Sequence, residues 1–309
     1  MLRWWVFGTL AGFQLAPAMI IGHATLAADL GAGKAALPPV TVVLVDQNYE
    51  QLWPCWAQTM ADVNRELPLS IVPMDSTSAQ FVKSWILTHP GVLDVTLDES
   101  YLVSAAQKGS SLHKGRWPPD VYSRIIWQAI QARLHEGHEA VLHSDLDALV
   151  MRDPWEMLAN AGDEDIVIAA DSYPSGYPHG AFNTGFALYR NTTGARQLVD
   201  GLVKIWDAGT QPKDKHQLND QWMFTDFLNN LTCTAGESRR WPVTNGFHRG
   251  ACGPVKLAVF TTQVLRGSLP CQTFDACKGM MPKATVVHQR GPVLLDKCGD
   301  AAAGPIAHP

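Results

Sequence analysis

The feature that most restricts the fold is an alternation of short apolar runs with helical patterns, sustained over about 190 residues. Thr41–Asp46 (TVVLVD) is a buried-strand run, and Tyr49–Leu67 has helical spacing with Pro54 early in it. Leu69–Asp75 (LSIVPMD) reads as a second strand, and Ser76–Thr88 as a helix closed by Pro90-Gly91. Residues 104–119, rich in Ser, Gly and Pro, read as a loop. Val121–Glu136 is the clearest helix: Ile125/Ile126, Ala129/Ile130 and Arg133/Leu134 recur at helical spacing, and Gly137 stops it. Strands follow at Glu139–His143, Asp165–Asp171 and Phe182–Arg190, and helices at about 195–208 and 216–230. Beyond 231 the pattern reads as irregular, with short strands at Val255–Thr261 and Ala284–His288. The expectation is an α/β domain, a mixed and mostly parallel sheet with helices on both faces.

Several classes drop out. No GxGxxG follows the first strand, where Asp46-Gln47-Asn48-Tyr49 stands instead, and no GxxxxGK[ST] occurs. A dinucleotide enzyme and a P-loop NTPase are therefore poor fits. Lys+Arg 24 against Asp+Glu 29 gives a net charge of −5, and no basic stripe stands out, which argues against nucleic acid as a partner. Mean hydropathy is −0.05, and one stretch alone approaches a membrane span. That stretch runs from Trp4 to Gly22 behind Arg3, close to the ~20 apolar residues that cross a bilayer. Small residues follow around Ala24-Thr25-Leu26-Ala27-Ala28. Residues 1–28 thus read as a signal peptide or a signal anchor, 29–39 as a linker, and 40–309 as the folded domain. The six cysteines form no CxxC pair, and five lie in the last 80 residues. An even count in an oxidising compartment reads as up to three disulfides, with the pairing open. Two N-glycosylation sequons, at Asn191 and Asn230, agree with that compartment.

The most informative segment is Val141-Leu142-His143-Ser144-Asp145-Leu146-Asp147-Ala148. Two carboxylates stand two apart just past an apolar strand, where ligands of open α/β sheets bind. In extended backbone they would point together, with Leu146 turned into the core. Like charges held close repel each other unless a cation sits between them. All-oxygen ligation favours Mg²⁺ or Mn²⁺, and an added imidazole tilts the choice toward Mn²⁺.

The run HSDLDALVMRDPW resembles the DxD segment of the nucleotide-diphospho-sugar transferase family, which includes plant and algal retaining xylosyl-, arabinosyl- and galactosyltransferases. The resemblance covers about residues 40–297 and rests on ordered pieces: Arg124 in the preceding helix, Gly137-His138-Glu139, Arg152-Asp153-Pro154, Phe182-Asn183-Thr184-Gly185-Phe186, Asn219-Asp220-Gln221 and Val287-His288-Gln289. The chain departs from the pattern at His143-Ser144 and at Gln289-Arg290-Gly291-Pro292, and Lys297 matches the family's late basic residue only at loose spacing.

The resemblance implies a single GT-A domain and a metal-dependent retaining transferase. It would move a sugar, a pentose or galactose, from a UDP-sugar to a glycan or glycoprotein hydroxyl. By the same resemblance Asp145, Asp147 and His288 hold Mn²⁺ or Mg²⁺. Asn48, Arg124, Asp145, Asp171 and Asn183 bind the nucleotide and donor sugar, and Asp220 and Gln221 lie near the anomeric carbon. A Golgi or other secretory location follows, with a single N-terminal membrane anchor, or secretion if that segment is cut. Most of the eleven Trp residues are expected in the core, with Trp117 and Trp241 as candidates for stacking on sugars. Two rival readings remain: a secreted metal-dependent hydrolase using the same carboxylates, and a non-catalytic sugar-binding relic.

Overall fold

Successive residues of a strand face opposite sides of a sheet, so an all-apolar run needs cover on both. The first strand, β1 (Val40–Val45), is buried along its whole length. Val40, Val42 and Leu44 join one core, and Val43 and Val45 join another. In a computed structural model of the chain, the described residues are 36–47, 49–63, 68–102, 119–170, 182–208, 220–233, 241–260, 264–266 and 286–288.

After β1 come α1 (Trp53–Val63), β2 (Leu69–Pro73), α2 (Ser76–Thr88), β3 (Val95–Leu97), α3 (Pro119–Glu136) and β4 (Ala140–Ser144). Then follow β5 (Ala148–Val150), α4 (Pro154–Ala159), β6 (Ile166–Ala170), β7 (Phe182–Arg190), α5 (Thr193–Asp207) and α6 (Asp220–Asn229). The last strands are β8 (Val243–Thr244), β9 (Phe247–Cys252), β10 (Val255–Phe260), β11 (Val264–Arg266) and β12 (Val286–His288). The main sheet has the order β3-β2-β1-β4-β7-β6-β10-β9-β8, and a small one has β11-β12-β5. Strands β3, β2, β1 and β4 run parallel, as do β6 and β10. Strand β7 lies antiparallel between β4 and β6. Helices α3, α5 and α6 pack one face of this mixed sheet, and α1 and α2 the other.

Local chemistry sets the boundaries. Asp75 caps α2 through Ser78 N–H at 2.9 Å. Asp153 caps α4 through Trp155 N–H at 2.9 Å, with Pro154 in the first turn, which is what the Arg-Asp-Pro piece does physically. Gly137, at φ +100, ends α3.

The stretch past 231 is more regular than its sequence pattern predicts. Strands β8, β9 and β10 extend the main sheet as consecutive hairpins. Asn245 and Gly246 make the first turn with φ of 52 and 84, the left-handed pair that a two-residue hairpin requires. A disulfide joins Cys233, beyond α6, to Cys252 at the end of β9. Cys55 in α1 is disulfide-bonded too. Two tryptophans reverse their expected places. Trp241 is buried, because Gly250 of β9 leaves room for its indole where any Cβ would collide. Trp222 is exposed, because Met223, Phe224 and Leu228 occupy the inward face of α6. Trp117 lies outside the described residues. Among the described residues no helix is long and apolar enough to cross a membrane.

Candidate active site

Beyond β4 the chain does not stay extended. Ala148 N–H donates to the Asp145 carbonyl at 3.0 Å, closing a turn, and Asp145 N–H donates to the Gly185 carbonyl of β7 at 2.8 Å. The two carboxylates of the DxD are therefore gathered by a tight turn rather than by strand alternation. Leu146 is buried, as expected, while Asp145 and Asp147 stay half-buried. The Tyr122 hydroxyl of α3 donates to Asp145 Oδ1 at 3.1 Å. His143, fully buried in β4, sets its Nε2 3.2 Å from the same oxygen without hydrogen-bond geometry. Its Nδ1 lies 3.3 Å from the Val42 carbonyl, an acceptor to which Nδ1 donates.

A second group of side chains enters from α6 and β7. Thr184 donates its hydroxyl to Asp220 Oδ2. Asn183 Nδ2 donates to Gln221 Oε1 at 3.0 Å, and Asn183 Oδ1 accepts from Gly185 N–H at 3.0 Å. The amide orientations follow from the backbone: an N–H can only donate, so Asn183 turns its oxygen to Gly185 and its NH₂ to Gln221. The ladder register between β6 and β7 shifts at this point, which takes Gly185 N–H out of regular pairing and leaves it to the side chain.

These pieces form one electrostatic unit. Burial first, then the Asp145 charge, raises the Asp220 carboxyl above the usual range, against the lowering effects of Thr184 and His143. Burial pushes the Tyr122 hydroxyl well above its ordinary value, and Asp145, Asp220, Asp46 and Asp147 add to it in that order. Of these, Asp145 accepts the phenol's hydrogen bond. Asp46 ends β1, buried, and accepts from Tyr49 N–H at 3.0 Å. Beside it Glu50 is raised by burial, by Asp75 and by Asp46, and its buried Oε2 has no hydrogen-bond partner.

Of the residues singled out from sequence, the structure brings Asp145, Asp147, Asn183, Asp220 and Gln221 together. Arg124 stands elsewhere: its guanidinium pairs with Asp207 at the end of α5, at 2.9 Å. Tyr122 takes the face of α3 that looks at the acidic turn, and a residue two positions on is turned about 200° around the helix. His288 ends β12, and its backbone lies opposite Ala148 of β5 in the antiparallel register, one residue past Asp147. Asn48, Asp171 and Lys297 lie outside the described residues. Among the described residues no cluster of metal-ligating side chains closes around a single point. Sequence reading passed over Tyr122, Glu50 and Asp75. The signal for the last was present, since the first two strands both run out into aspartate, in VVLVD and IVPMD.

A mixed sheet with a carboxylate turn after a central strand and a helix starting in Asp-Gln beside it is the architecture of a GT-A glycosyltransferase. The chain belongs to the nucleotide-diphospho-sugar transferase family, whose profile matches residues 70–293. Among solved structures, the galactosyltransferase LgtC, in complex with donor and acceptor sugar analogs, is similar at a TM-score of 0.53 and 13% identity, over 87% of this chain and 97% of that one. Mouse xyloside xylosyltransferase 1 in its apo form is similar at 0.47 and 14%, over 82% and 98%. The glycosyltransferase GlyE of Streptococcus pneumoniae TIGR4 gives 0.46 and 13%, and the chain spans 54% of its length. No curated protein matches in sequence.

Proposed function

We propose that this glycosyltransferase is metal-dependent and retaining, and moves a sugar, a pentose or galactose, from a UDP-sugar to a hydroxyl of a glycan or glycoprotein. The observation that carries the reading is the turn after β4 that gathers Asp145 and Asp147, with Tyr122 bonded to Asp145 and the Asp145 charge acting on Asp220. Such mutual repulsion is costly in a folded protein unless a cation or a hydroxyl-rich ligand joins the cluster. Asp145 and Asp147 supply oxygens suited to Mn²⁺ or Mg²⁺, and the β12 register sets His288 next in line along β5. When bound, such an ion acts as a Lewis acid that neutralises charge on the departing diphosphate.

The chain's own residues account for the sugar end. Asp220, tied to Thr184 on the rigid strand β7, presents negative charge to positive charge growing at the anomeric carbon. Asn183 holds Gln221 in one orientation beside it. With Asp220 as a fixed charge, the leaving phosphate can take the acceptor proton, a front-face route to retention. Asp46 and Asn48, at the end of β1, are assigned to the nucleoside, and Asp171 to donor hydroxyls. The disulfide-bonded cysteines and the apolar N-terminal run support a lumenal site of action, in the Golgi or beyond.

The test is calorimetry of UDP binding to residues 29–309, with Mn²⁺ and with a chelator, beside Asp147→Ala. Binding that needs both the metal and Asp147 is the expected result. A folded protein that binds no UDP under either condition overturns the UDP-donor reading.

A further inference from the structure

The acidic turn is fastened to α1 by the serine that precedes it. Ser144, the last residue of β4, is fully buried, and the Trp56 indole N–H of α1 donates to its Oγ at 3.2 Å. An indole nitrogen can only donate, so the serine oxygen is the acceptor and its own hydrogen goes to another partner. That partner is the Asp145 carbonyl at 3.2 Å. The same carbonyl receives the Ala148 N–H that closes the turn, at 3.0 Å. Trp56 is a rigid anchor. It is buried and stacked on Trp53 at 5.8 Å between ring centroids, and Trp53 in turn meets Trp85 of α2 edge-on at 5.3 Å. Leu146, between the two carboxylates, enters the same core as Trp53 and Trp56.

We propose that Ser144 is a positioning residue for the metal-binding turn. Its hydroxyl passes the fixed orientation of Trp56 to the Asp145 carbonyl, and so sets the backbone from which Asp145 and Asp147 project, an inference that rests on the metal-dependent reading above. A hydroxyl suits the place because it accepts and donates through one oxygen. Alanine would do neither, and would leave the Trp56 N–H buried without an acceptor. The contact acts on backbone rather than on a carboxylate, so it leaves the charge of both acids to the cation. Binding constellations tolerate displacements of only about 0.5 Å, so a turn freed at one backbone group loses affinity before it loses its fold. Outer contacts that hold ligands in place typically change metal affinity ten- to a hundredfold.

The test is Ser144→Ala, which removes only the hydroxyl. Mn²⁺ affinity is read from the free-ion electron paramagnetic resonance signal in the presence of UDP, beside amide hydrogen exchange of the metal-free protein and the unfolding temperature. Thr59→Val serves as the control, since the Thr59 hydroxyl donates to the Trp56 carbonyl at 2.9 Å, a buried bond of the same helix that does not reach the turn. The expected result is Mn²⁺ binding weakened roughly tenfold by Ser144→Ala and unchanged by Thr59→Val, with the Ala148 amide exchanging faster in Ser144→Ala alone. If wild type binds Mn²⁺, Asp147→Ala does not, and Ser144→Ala matches wild type or falls no further than Thr59→Val, the role assigned to Ser144 is wrong and the metal reading stands. Should Ser144→Ala not fold, Trp56→Phe, which deletes the indole N–H and keeps an aromatic ring, takes its place under the same criteria. If folded wild type binds no Mn²⁺ with UDP present, both fall together.

Discussion

Asn183 does two jobs at once, and two substitutions separate them. Its oxygen satisfies the Gly185 N–H where β7 slips out of register with β6, and its NH₂ holds Gln221. Asn183→Ala removes both bonds and leaves the Gly185 N–H buried with no acceptor. A buried amide without a partner costs about 1–3 kcal/mol, and the lost bond to Gln221 about 1 kcal/mol more. The sum is about 2–4 kcal/mol. Gln221→Ala removes the bond to Asn183 and leaves the Gly185 one in place, and that lost bond should cost about 1 kcal/mol. At about 2–4 °C per kcal/mol for a domain approaching this size, Asn183→Ala should melt roughly 4–16 °C below wild type and Gln221→Ala roughly 2–4 °C below. Thermal and urea unfolding of the three proteins side by side measure the gap, and both variants should lose sugar transfer. If Asn183→Ala is no less stable than Gln221→Ala, the Gly185 amide has another acceptor and the account of the β7 irregularity is wrong.

The remaining predictions concern charge and modification. Asp220 has its folded carboxyl raised by burial and by Asp145, so the folded state holds that proton more tightly than the unfolded chain, and ionised Asp220 costs stability at neutral pH. Asp220→Asn should therefore unfold at a higher temperature than wild type at neutral pH in chelator, with the advantage vanishing as pH falls toward the unfolded carboxyl value of about 4; an equal or lower melting temperature at neutral pH refutes this. Of the two sequons, Asn191 uses its NH₂ to bind the Leu134 and His138 carbonyls, each at 2.8 Å, whereas Asn230 is exposed beyond α6. Secreted from eukaryotic cells, the protein should carry a glycan that Asn230→Gln removes, and glycosidase-sensitive mass surviving that change would contradict the assignment.

Much of the fold could be read from sequence, because buried strands and capped helices declare themselves locally. Val121–Glu136 and Phe182–Arg190 match their elements nearly residue for residue. The hairpins after 241 were missed because β8 is two residues long and β9 carries His, Arg and Gly in its middle, although Asn245-Gly246 marked the turn. Within the site, the carboxylates were legible and their partners were not. Arg124 and Tyr122 lie two apart on one helix, and which of them faces the acidic turn depends on how α3 is rotated against the sheet. That rotation is set by Ile126, Trp127 and Ile130 packing into the core. Trp241 shows the same limit: its burial depends on Gly250, nine residues on in sequence, in β9. Pairings of this sort arise from tertiary contact and leave no periodic trace.

The placement of charge separates the edge that carries the DxD turn from the rest of the molecule. Among the described residues, Asp98 and Glu136 pair with Arg133, Glu164 with Arg249, and Asp165 with Thr192 and the Lys256 N–H. At the ends of β1, β2 and β4 and the start of α6, acids also repel one another, beside the Tyr49, Ser78, Tyr122 and Thr184 hydrogen bonds that they accept. Glu50 is raised by Asp75 and Asp46, Asp220 by Asp145, and Tyr122 by four aspartates. Replacing any one of these acids with an amide would relieve that repulsion at little cost in packing. The repulsion is concentrated where Asp145, Asp147 and Asp220 meet, and a doubly charged ion with the hydroxyls of a sugar is the ligand chemistry that turns the same arrangement from destabilising to stabilising. On this argument the protein should gain thermal stability when Mn²⁺ and UDP are added together, and Asp147→Ala should lose most of that gain, because the stabilisation by ligand scales with the affinity that the carboxylates create.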